Sequence, residues 1–533
     1  MDGARRGTGG GSIGARFHTL VFAAYPVILV SAANSGVLPF DTTSVVQSLA
    51  VSLGGAVALL LILKPVFRDS SARAACLSFF FIACNLYALL GGFIARVAGP
   101  GLYLLASALV AMFVTRPWRS RPRKSTALNL AAGALLAANV FGVARTTRWN
   151  QSWRPAADAM IDGVATSSEK PPSGPRRDIY YVILDAFGRP DVLKDLYGVD
   201  LGPFVKALES RGFAVPAASR TNYSQTYLSL GSSLNLSYLD AVAKTEGDAI
   251  DRRPMDYLIQ HNALMTLARR AGYRIIAIGS DYSATESLAT SDECLCEQYG
   301  LSEFEIAALG LTPLRGLPLD RWTYDAHRRK IEASFRHLAD AAREPGPKLV
   351  FAHVISPHPP FVFGPDGRPG ANRSRAFSFQ DGNNFPGTRE QYVAGYAGQV
   401  QYVVKRVLAA VDAILLQPGP TPAIVLQGDH GPGSMWNWSD LDHANVRERM
   451  AIFAAYRLPG ASMPSVSSDV TPVNGMRALA NRYLGTALTP LRNLSFASTW
   501  EHPYRFERVD STRVLADAAS PAAHVRGCCP SDR

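Results

Sequence analysis

The sequence predicts an N-terminal all-α transmembrane bundle of five helices, followed by an α/β domain with a mostly parallel central sheet and helices on both faces. Two observations predict it. The first 145 residues contain five apolar runs with hardly an internal charge. From Asp178 onward, short apolar strand candidates alternate with helical patterns. At 533 residues the chain is too long for one ordinary domain. With 47% hydrophobic and only 18% charged residues it is not a disordered chain.

The apolar runs are Phe17–Leu38, Val45–Leu63, Ala74–Ala95, Pro100–Thr115 and Ala127–Val143, each near the length that crosses about 30 Å of hydrocarbon. Four more runs follow the first, which argues against a cleaved signal peptide. Loop charges set the orientation. The N-terminal tail holds Arg5, Arg6 and Arg16, and the turn 39–44 holds no Lys or Arg. The next loop holds Lys64, Arg68 and Arg73, the third only Arg96, and residues 116–125 hold five basic residues. This alternation follows the positive-inside rule, so the N-terminus is expected in the cytoplasm of a bacterium. Everything after Arg145 is then expected in the periplasm or on the outer face. Most of the net charge of +11 also belongs to this region, because residues 1–125 carry twelve basic and three acidic residues, a balance of +9. A nucleic-acid partner is therefore not implied; the partner is a lipid bilayer.

Residues 1–145 are thus read as the transmembrane domain and 146–177 as a linker rich in Ser, Pro and Gly, with Trp149 and Trp153 suited to the membrane surface. A catalytic domain is expected over 178–500 and a tail over 501–533. Strand candidates are Ile179–Leu184, Tyr273–Ile278, Leu349–Ile355, Ala423–Leu426 and Ala451–Tyr456. Helical patterns cover Leu201–Arg211, Met255–Ala271, Trp322–Ala342, Arg389–Leu416 and Val473–Leu484. No internal repeat, Walker motif or G-x-G-x-x-G is present. Of six cysteines, Cys76 and Cys84 lie in an apolar run, Cys294 and Cys296 form a C-x-C, and Cys528 and Cys529 end the chain. These spacings do not suit a zinc knuckle, and a disulfide from Cys294 or Cys296 requires an oxidising compartment.

In open sheets of this type chemistry gathers at the C-terminal ends of strands, and four segments carry it here. The first strand ends in Asp185, a carboxylate that burial makes costly unless a cation or a helix N-terminus compensates it. Residues 222–230, NYSQTYLSL, place hydroxyls before an apolar run. That pattern is both an N-cap signature and a setting for a nucleophile that faces an anion. His353 and the proline-flanked His358 close the third strand. The fourth ends in QGDHGPG, where Asp429 and His430 between glycines suit a hard-to-borderline divalent ion. His443 and Arg447 follow.

Taken in this order, the strings DIYYVILDAFGRPD, NYSQTYLSLGSSLN, HVISPHPPF and QGDHGPGS resemble the sulfatase-like branch of the alkaline phosphatase superfamily over about Asp178–Leu484. Five N-terminal helices before such a domain resemble lipoteichoic acid synthases and lipid A phosphoethanolamine transferases. The resemblance implies one divalent ion, Zn or Mn, held by Asp185, Thr226, Asp429 and His430. It implies Thr226, in a T-x-x-S context, as nucleophile and His358 and His443 as substrate-contacting histidines. Arg447 has no firm counterpart and is a candidate anion contact.

The chain departs from those families by carrying Asp185 where the transferases usually have Glu. It lacks the C-x-P-S-R string and the paired Asp-Asp of true sulfatases. A second metal set is not evident, and Asp281, His353 and His358 are the residues that would build one. The implied function is a membrane-anchored phosphotransferase or hydrolase with a phospholipid or other phosphoester donor and an envelope glycan or lipid acceptor. The alternative is a non-catalytic member that binds an envelope polymer or partner.

Overall fold

The computed structural model describes residues 17–35, 42–97, 99–115, 122–149, 151–167, 176–316, 320–370, 377–460 and 466–515. Arg5, Arg6, Arg16, residues 36–41 and 116–121, the Ser/Pro-rich stretch 168–175, and Cys528 with Cys529 lie outside the described residues. The chain divides into two units, residues 1–151 with 301–318, and residues 152–300 with 319–533.

In the first unit, helices form where the apolar runs stand: α1 (Phe17–Asn34), α2 (Thr42–Ile62), α3 (Ser70–Val97), α4 (Gly99–Thr115) and α5 (Pro122–Trp149). Among the described residues three spans, α1, α2 and Ser125–Arg145 within α5, are long and apolar enough to cross a membrane, whereas the apolar helix Pro100–Thr115 is shorter. Five crossings therefore remain an expectation. α2 and α4 turn Val51, Leu61, Ile62, Leu105 and Phe113 outward, a face that lipid tails solvate as well as a protein core would. Polar atoms inside such a bundle must find partners. The buried His18 does so, with Nδ1 2.6 Å from Ser78 Oγ and Nε2 3.2 Å from Ser125 Oγ, which joins α1 to α3 and α5.

Residues 301–318 correct the expected domain boundaries. They belong to this first unit, although sequence reading counted them inside 178–500. Ser302 and Glu305 form a capping box on the helix Glu303–Gly310. That helix sets Phe304 and Ala308 against Val27 and Val30 of α1. The apolar character of the stretch gives it a partner among apolar helices.

The second unit is built on a six-stranded sheet: β1 (Ile179–Leu184), β2 (Arg274–Ile278), β3 (Glu293–Leu295), β4 (Lys348–Val354), β5 (Ala423–Gly428) and β6 (Ala454–Arg457). The order is β3-β2-β4-β1-β5-β6. All pairs are parallel except β5 with β6. Each residue of β1, β4 and β5 is buried, as expected of strands covered on both faces. Tyr180, Val182 and Leu184 share one core with Phe335 of the helix Asp320–Arg343 and Val403 of Arg389–Leu415. Alternation along the strand sends Ile183 and its register partner His353 to the opposite face. The β3 edge strand was not predicted; its Cys294 is joined as a disulfide to Cys296, which directly follows the strand, while Cys76 and Cys84 are free and buried.

Two further boundaries shift. The predicted linker contains a helix, Arg154–Ala165, whose Ala157, Ile161, Val164 and Ala165 are buried at helical spacing. Trp153 is buried against Tyr257 with ring centres 5.5 Å apart, and Tyr257 donates to Asp158 at 2.6 Å. Trp153 is thus a packing residue of the second unit. Beyond residue 500, Glu507–Arg508 pairs antiparallel with Phe496–Ala497. Val509 and Val514 pack with Trp436 and Met450, so ordered packing of this unit reaches the end of the predicted tail's first half.

Candidate metal centre

Three strand ends and one helix N-terminus supply the centre. β1 delivers Asp185 into a turn completed by Ala186, which adopts a left-handed φ of 62°, a costly conformation for alanine. The Ala186 amide donates to Asp429 Oδ1 at 3.0 Å, so the turn after β1 is fastened to the turn after β5. The glycines around Asp429 and His430 are required by close approach and not by a left-handed turn. A Cβ on Gly428 would stand 2.5 Å from the Phe187 carbonyl oxygen, and one on Gly431 2.1 Å from that of Glu448.

Asp185, His353 and Asp429 converge, with one ligand atom from each lying within 4.8 Å of the others. His353 Nε2 stands 3.4 Å from Asp185 Oδ2, and His430 Nε2 is 3.5 Å from Asp185 Oδ1 and 3.3 Å from Asp429 Oδ2. Asp185 Oδ1, Asp429 Oδ2 and His353 Nε2 are buried without a hydrogen-bond partner among the described residues. Unpaired buried acceptors of this kind are costly unless a cation shares them. Two carboxylates and two imidazoles fit a divalent ion such as Zn or Mn.

The far side of each ring is occupied, as ligating histidines require. His430 donates through Nδ1 to the Gly431 carbonyl at 2.9 Å, which leaves the Nε2 lone pair directed inward. His353 Nδ1 lies 2.9 Å from Thr285 Oγ1. Burial would raise the Asp185 carboxyl, but His358, His353 and His430 outweigh it and hold the group well below the usual carboxylate range. Burial, reinforced by Arg449, pushes His430 down and favours the neutral ring that binds metal.

Thr226 opens the helix Thr226–Leu234 and lies inside it. The N-cap position belongs to Gln225, which makes no side-chain cap. Thr226 Oγ1 stands 3.0 Å from His430 Nε2 and remains partly open, unlike its neighbours. Ser229 Oγ is spent on the Asp429 carbonyl at 2.7 Å. His358 donates through Nδ1 to the Pro359 carbonyl at 2.6 Å, which turns Nε2 toward Asp381 at 3.9 Å. Its ring centre is 6.1 Å from that of His430.

The structure does not bring every candidate together. His443 sits on the turn Leu441–His443 with 78% of its side chain exposed and Nδ1 2.7 Å from Asp440. Arg447 is paired with Asp191 at 3.0 Å and Asp195 at 2.7 Å, which makes it a packing ion pair and not an anion contact. Asp281 pairs with His327 at 2.6 Å, so it does not join His353 and His358 in a second set.

Sequence reading placed His353 only in a hypothetical second set and missed Arg449 and Asp381 altogether. Arg449 is 1% exposed, donates to Asp381 Oδ2 at 2.5 Å, and has Nη2 3.1 Å from His430 Nε2. Asp381 also accepts from Tyr392 at 2.7 Å. Burial would raise the Asp381 carboxyl, yet Arg449 and His358 lower it.

No family model and no curated protein matches this chain. Among solved structures it is similar to the C-terminal periplasmic domain of EcEptC from Escherichia coli in complex with Zn, at 15% identity and a TM-score of 0.44 over 64% of this chain and 95% of that one. It is similar to the integral membrane lipooligosaccharide phosphoethanolamine transferase A from Neisseria meningitidis, at 12% identity and a TM-score of 0.37 over 89% and 95% of the two chains. The lipoteichoic acid synthase LtaP from Listeria monocytogenes follows at 13% identity and a TM-score of 0.35, over 64% and 81%.

Proposed function

We propose that this chain is a membrane-anchored, metal-dependent phosphotransferase or phosphoester hydrolase with Thr226 as its nucleophile. The observation that carries the reading is the convergence of three unpartnered buried ligand atoms, on Asp185, Asp429 and His353, beside His430 and a hydroxyl at a helix N-terminus. Asp185, His353, Asp429 and His430 would hold the ion, with Thr226 Oγ1 at its edge. Such an ion supplies Lewis acidity, which lowers the pKa of a neighbouring hydroxyl and neutralises phosphoryl oxygens.

The chain's own residues divide the remaining work. The free amides at the start of Thr226–Leu234 favour the alkoxide form of Thr226. Thr226 Oγ, partly open to solvent, gives its proton to water and forms a bond to phosphorus as the bond to the leaving oxygen breaks. His358, as the imidazolium with Nδ1 on the Pro359 carbonyl and Nε2 facing Asp381, gives its Nε2 proton to that oxygen. Water or an acceptor hydroxyl then takes the phosphoryl group from Thr226, returning its proton to His358 Nε2 as the bond to Thr226 Oγ breaks. His443, on its exposed turn, is the candidate for contact with the part of donor or acceptor outside the buried group.

The apolar helices support a donor or acceptor within reach of the bilayer, a phospholipid or an envelope glycan or lipid. Loop charges support an inner-membrane protein with a cytoplasmic N-terminus and an extracytoplasmic catalytic unit. Purified protein turned over on a phosphodiester such as bis(4-nitrophenyl) phosphate tests the reading. Turnover should vanish on chelation and return with Zn or Mn. Turnover indifferent to chelation would sink it.

A further inference from the structure

Arg449 enters the centre from a different direction than the predicted residues. It lies on the short helix Val446–Met450, and its guanidinium is fixed at every nitrogen. Nε donates to the Ser224 carbonyl at 2.9 Å, Nη1 to Asp381 Oδ2 at 2.5 Å, and Nη2 stands 3.1 Å from His430 Nε2. The rings of Trp438 and Trp436 lie 4.9 Å and 5.7 Å from the guanidinium carbon and restrict its plane. Asp381 already neutralises its charge, and the Ser224 carbonyl and the Gly431 carbonyl, 3.5 Å from Nη1, also accept from it, which accounts for Nε and Nη1 but not for Nη2.

The third direction is the informative one. His430 Nε2 is also the atom that faces Asp185, Asp429 and Thr226 Oγ1. A cation on that nitrogen would take its lone pair, leave the Nη2 protons without an acceptor, and set two positive groups side by side at low dielectric. An anionic oxygen between them resolves both problems. The position of that oxygen, beside the Thr226 hydroxyl, is where a phosphoryl group under attack by Thr226 has its non-bridging oxygens.

We propose that Arg449 is a substrate-binding residue of this centre. Its Nη2 donates to a non-bridging phosphoryl oxygen, and Asp381 and the Ser224 carbonyl aim it. Planarity and a fixed fork suit arginine to this role in a way that lysine does not match. The inference rests on the phosphoryl-transfer reading above and assigns a role which that reading does not need.

The test is inorganic phosphate binding to the intact, detergent-solubilised, metal-loaded protein, followed by calorimetry, together with metal content and melting temperature. R449Q should keep its metal and fold yet bind phosphate about 10- to 100-fold more weakly, the range of a lost hydrogen bond to a charged group. R449K should fall between R449Q and wild type. D381N should weaken phosphate less than R449Q, because it loosens the aim without removing the donor. A folded, metal-loaded R449Q with wild-type phosphate affinity would overturn the assignment and leave the metal centre standing. Should R449Q not fold, R449K decides, and wild-type phosphate affinity in folded R449K would overturn the assignment equally. A wild-type protein that binds metal but no phosphate would overturn the phosphoryl reading itself, and Arg449's role with it.

Discussion

His353 Nε2 lies 3.4 Å from Asp185 Oδ2, across the two neighbouring parallel strands β4 and β1. The imidazole sits inside a strand, where a histidine ordinarily packs, yet its inward nitrogen has no hydrogen-bond partner among the described residues. That relationship moves His353 from the periphery of the site to its floor. His353→Ala should therefore deplete the bound metal as severely as Asp429→Ala does. Elemental analysis of the purified variants checks this, with about one ion per chain expected in wild type. Full occupancy in His353→Ala would remove it from the ligand set.

Thr285 supplies a second, finer test. Its hydroxyl lies 2.9 Å from His353 Nδ1 and fixes the ring. Thr285→Val, which keeps the shape and removes the hydroxyl, should weaken metal affinity about 10- to 100-fold, the usual effect of losing such an outer contact. Competition against a chelator of known affinity measures it.

These two residues also show where sequence reading stops. Asp185, Asp429 and His430 stand out because each follows an apolar strand run, where a charged group has no packing reason to be; Thr226 precedes an apolar run, a pattern that equally suits a cap, and its candidacy as nucleophile rests on the resemblance. Five of the six strands of the main sheet, and five helical stretches of the second unit, were legible for a related reason: apolar runs of strand length and 3.6-residue periodicity are local signals. His353 is within its strand, and only the face on which its side chain lies reveals its role. Arg449 and Asp381 meet across 68 residues of sequence, and no local pattern encodes that pairing. The predicted helix Met255–Ala271 is in fact two, Arg253–Gln260 and Ala263–Arg270, because Asn262 caps the second through the Met265 amide. Residues 301–318 escaped detection because a short apolar helix reads alike whether it packs in a soluble core or against membrane helices.

Stability should also respond to pH through a group away from the centre. Burial, with Asp251 nearby, pushes Glu246 up to about 7, and its Oε2 has no hydrogen-bond partner among the described residues. Below the ordinary glutamate range both folded and unfolded chains carry the proton, and Glu246 is neutral to stability. As pH rises toward 7 the unfolded chain ionises first, so stability is lost through that window and the full cost remains above it. Glu246→Gln should raise the melting temperature at pH 8 by about 2–5 °C, an effect of about 1–2 kcal/mol after allowance for solvent screening. The gain should shrink at pH 5. An equal gain at both pH values would place the effect elsewhere.

Topology follows from the alternating loop charges. A reporter active only outside the cytoplasm should be active when fused after Arg177 and silent when fused at Arg121. Activity at Arg121 with silence at Arg177 would invert the orientation and move the proposed centre to the cytoplasm.

The central claim is that Thr226 takes the phosphoryl group itself. Thr226→Ala should abolish turnover while changing the melting temperature little, since Gln225 and not Thr226 occupies the N-cap position. Thr226→Ser should keep part of the activity, because the hydroxyl remains while its rotamer is less fixed. The most direct measurement is mass spectrometry of metal-loaded wild-type protein, acid-quenched during turnover of a phosphodiester. The expected result is added mass on Thr226 equal to the phosphoryl group together with the ester group that the diester retains, absent from Thr226→Ala. Label on Ser224 or Ser229 instead, or turnover by Thr226→Ala near the wild-type rate, would contradict the account.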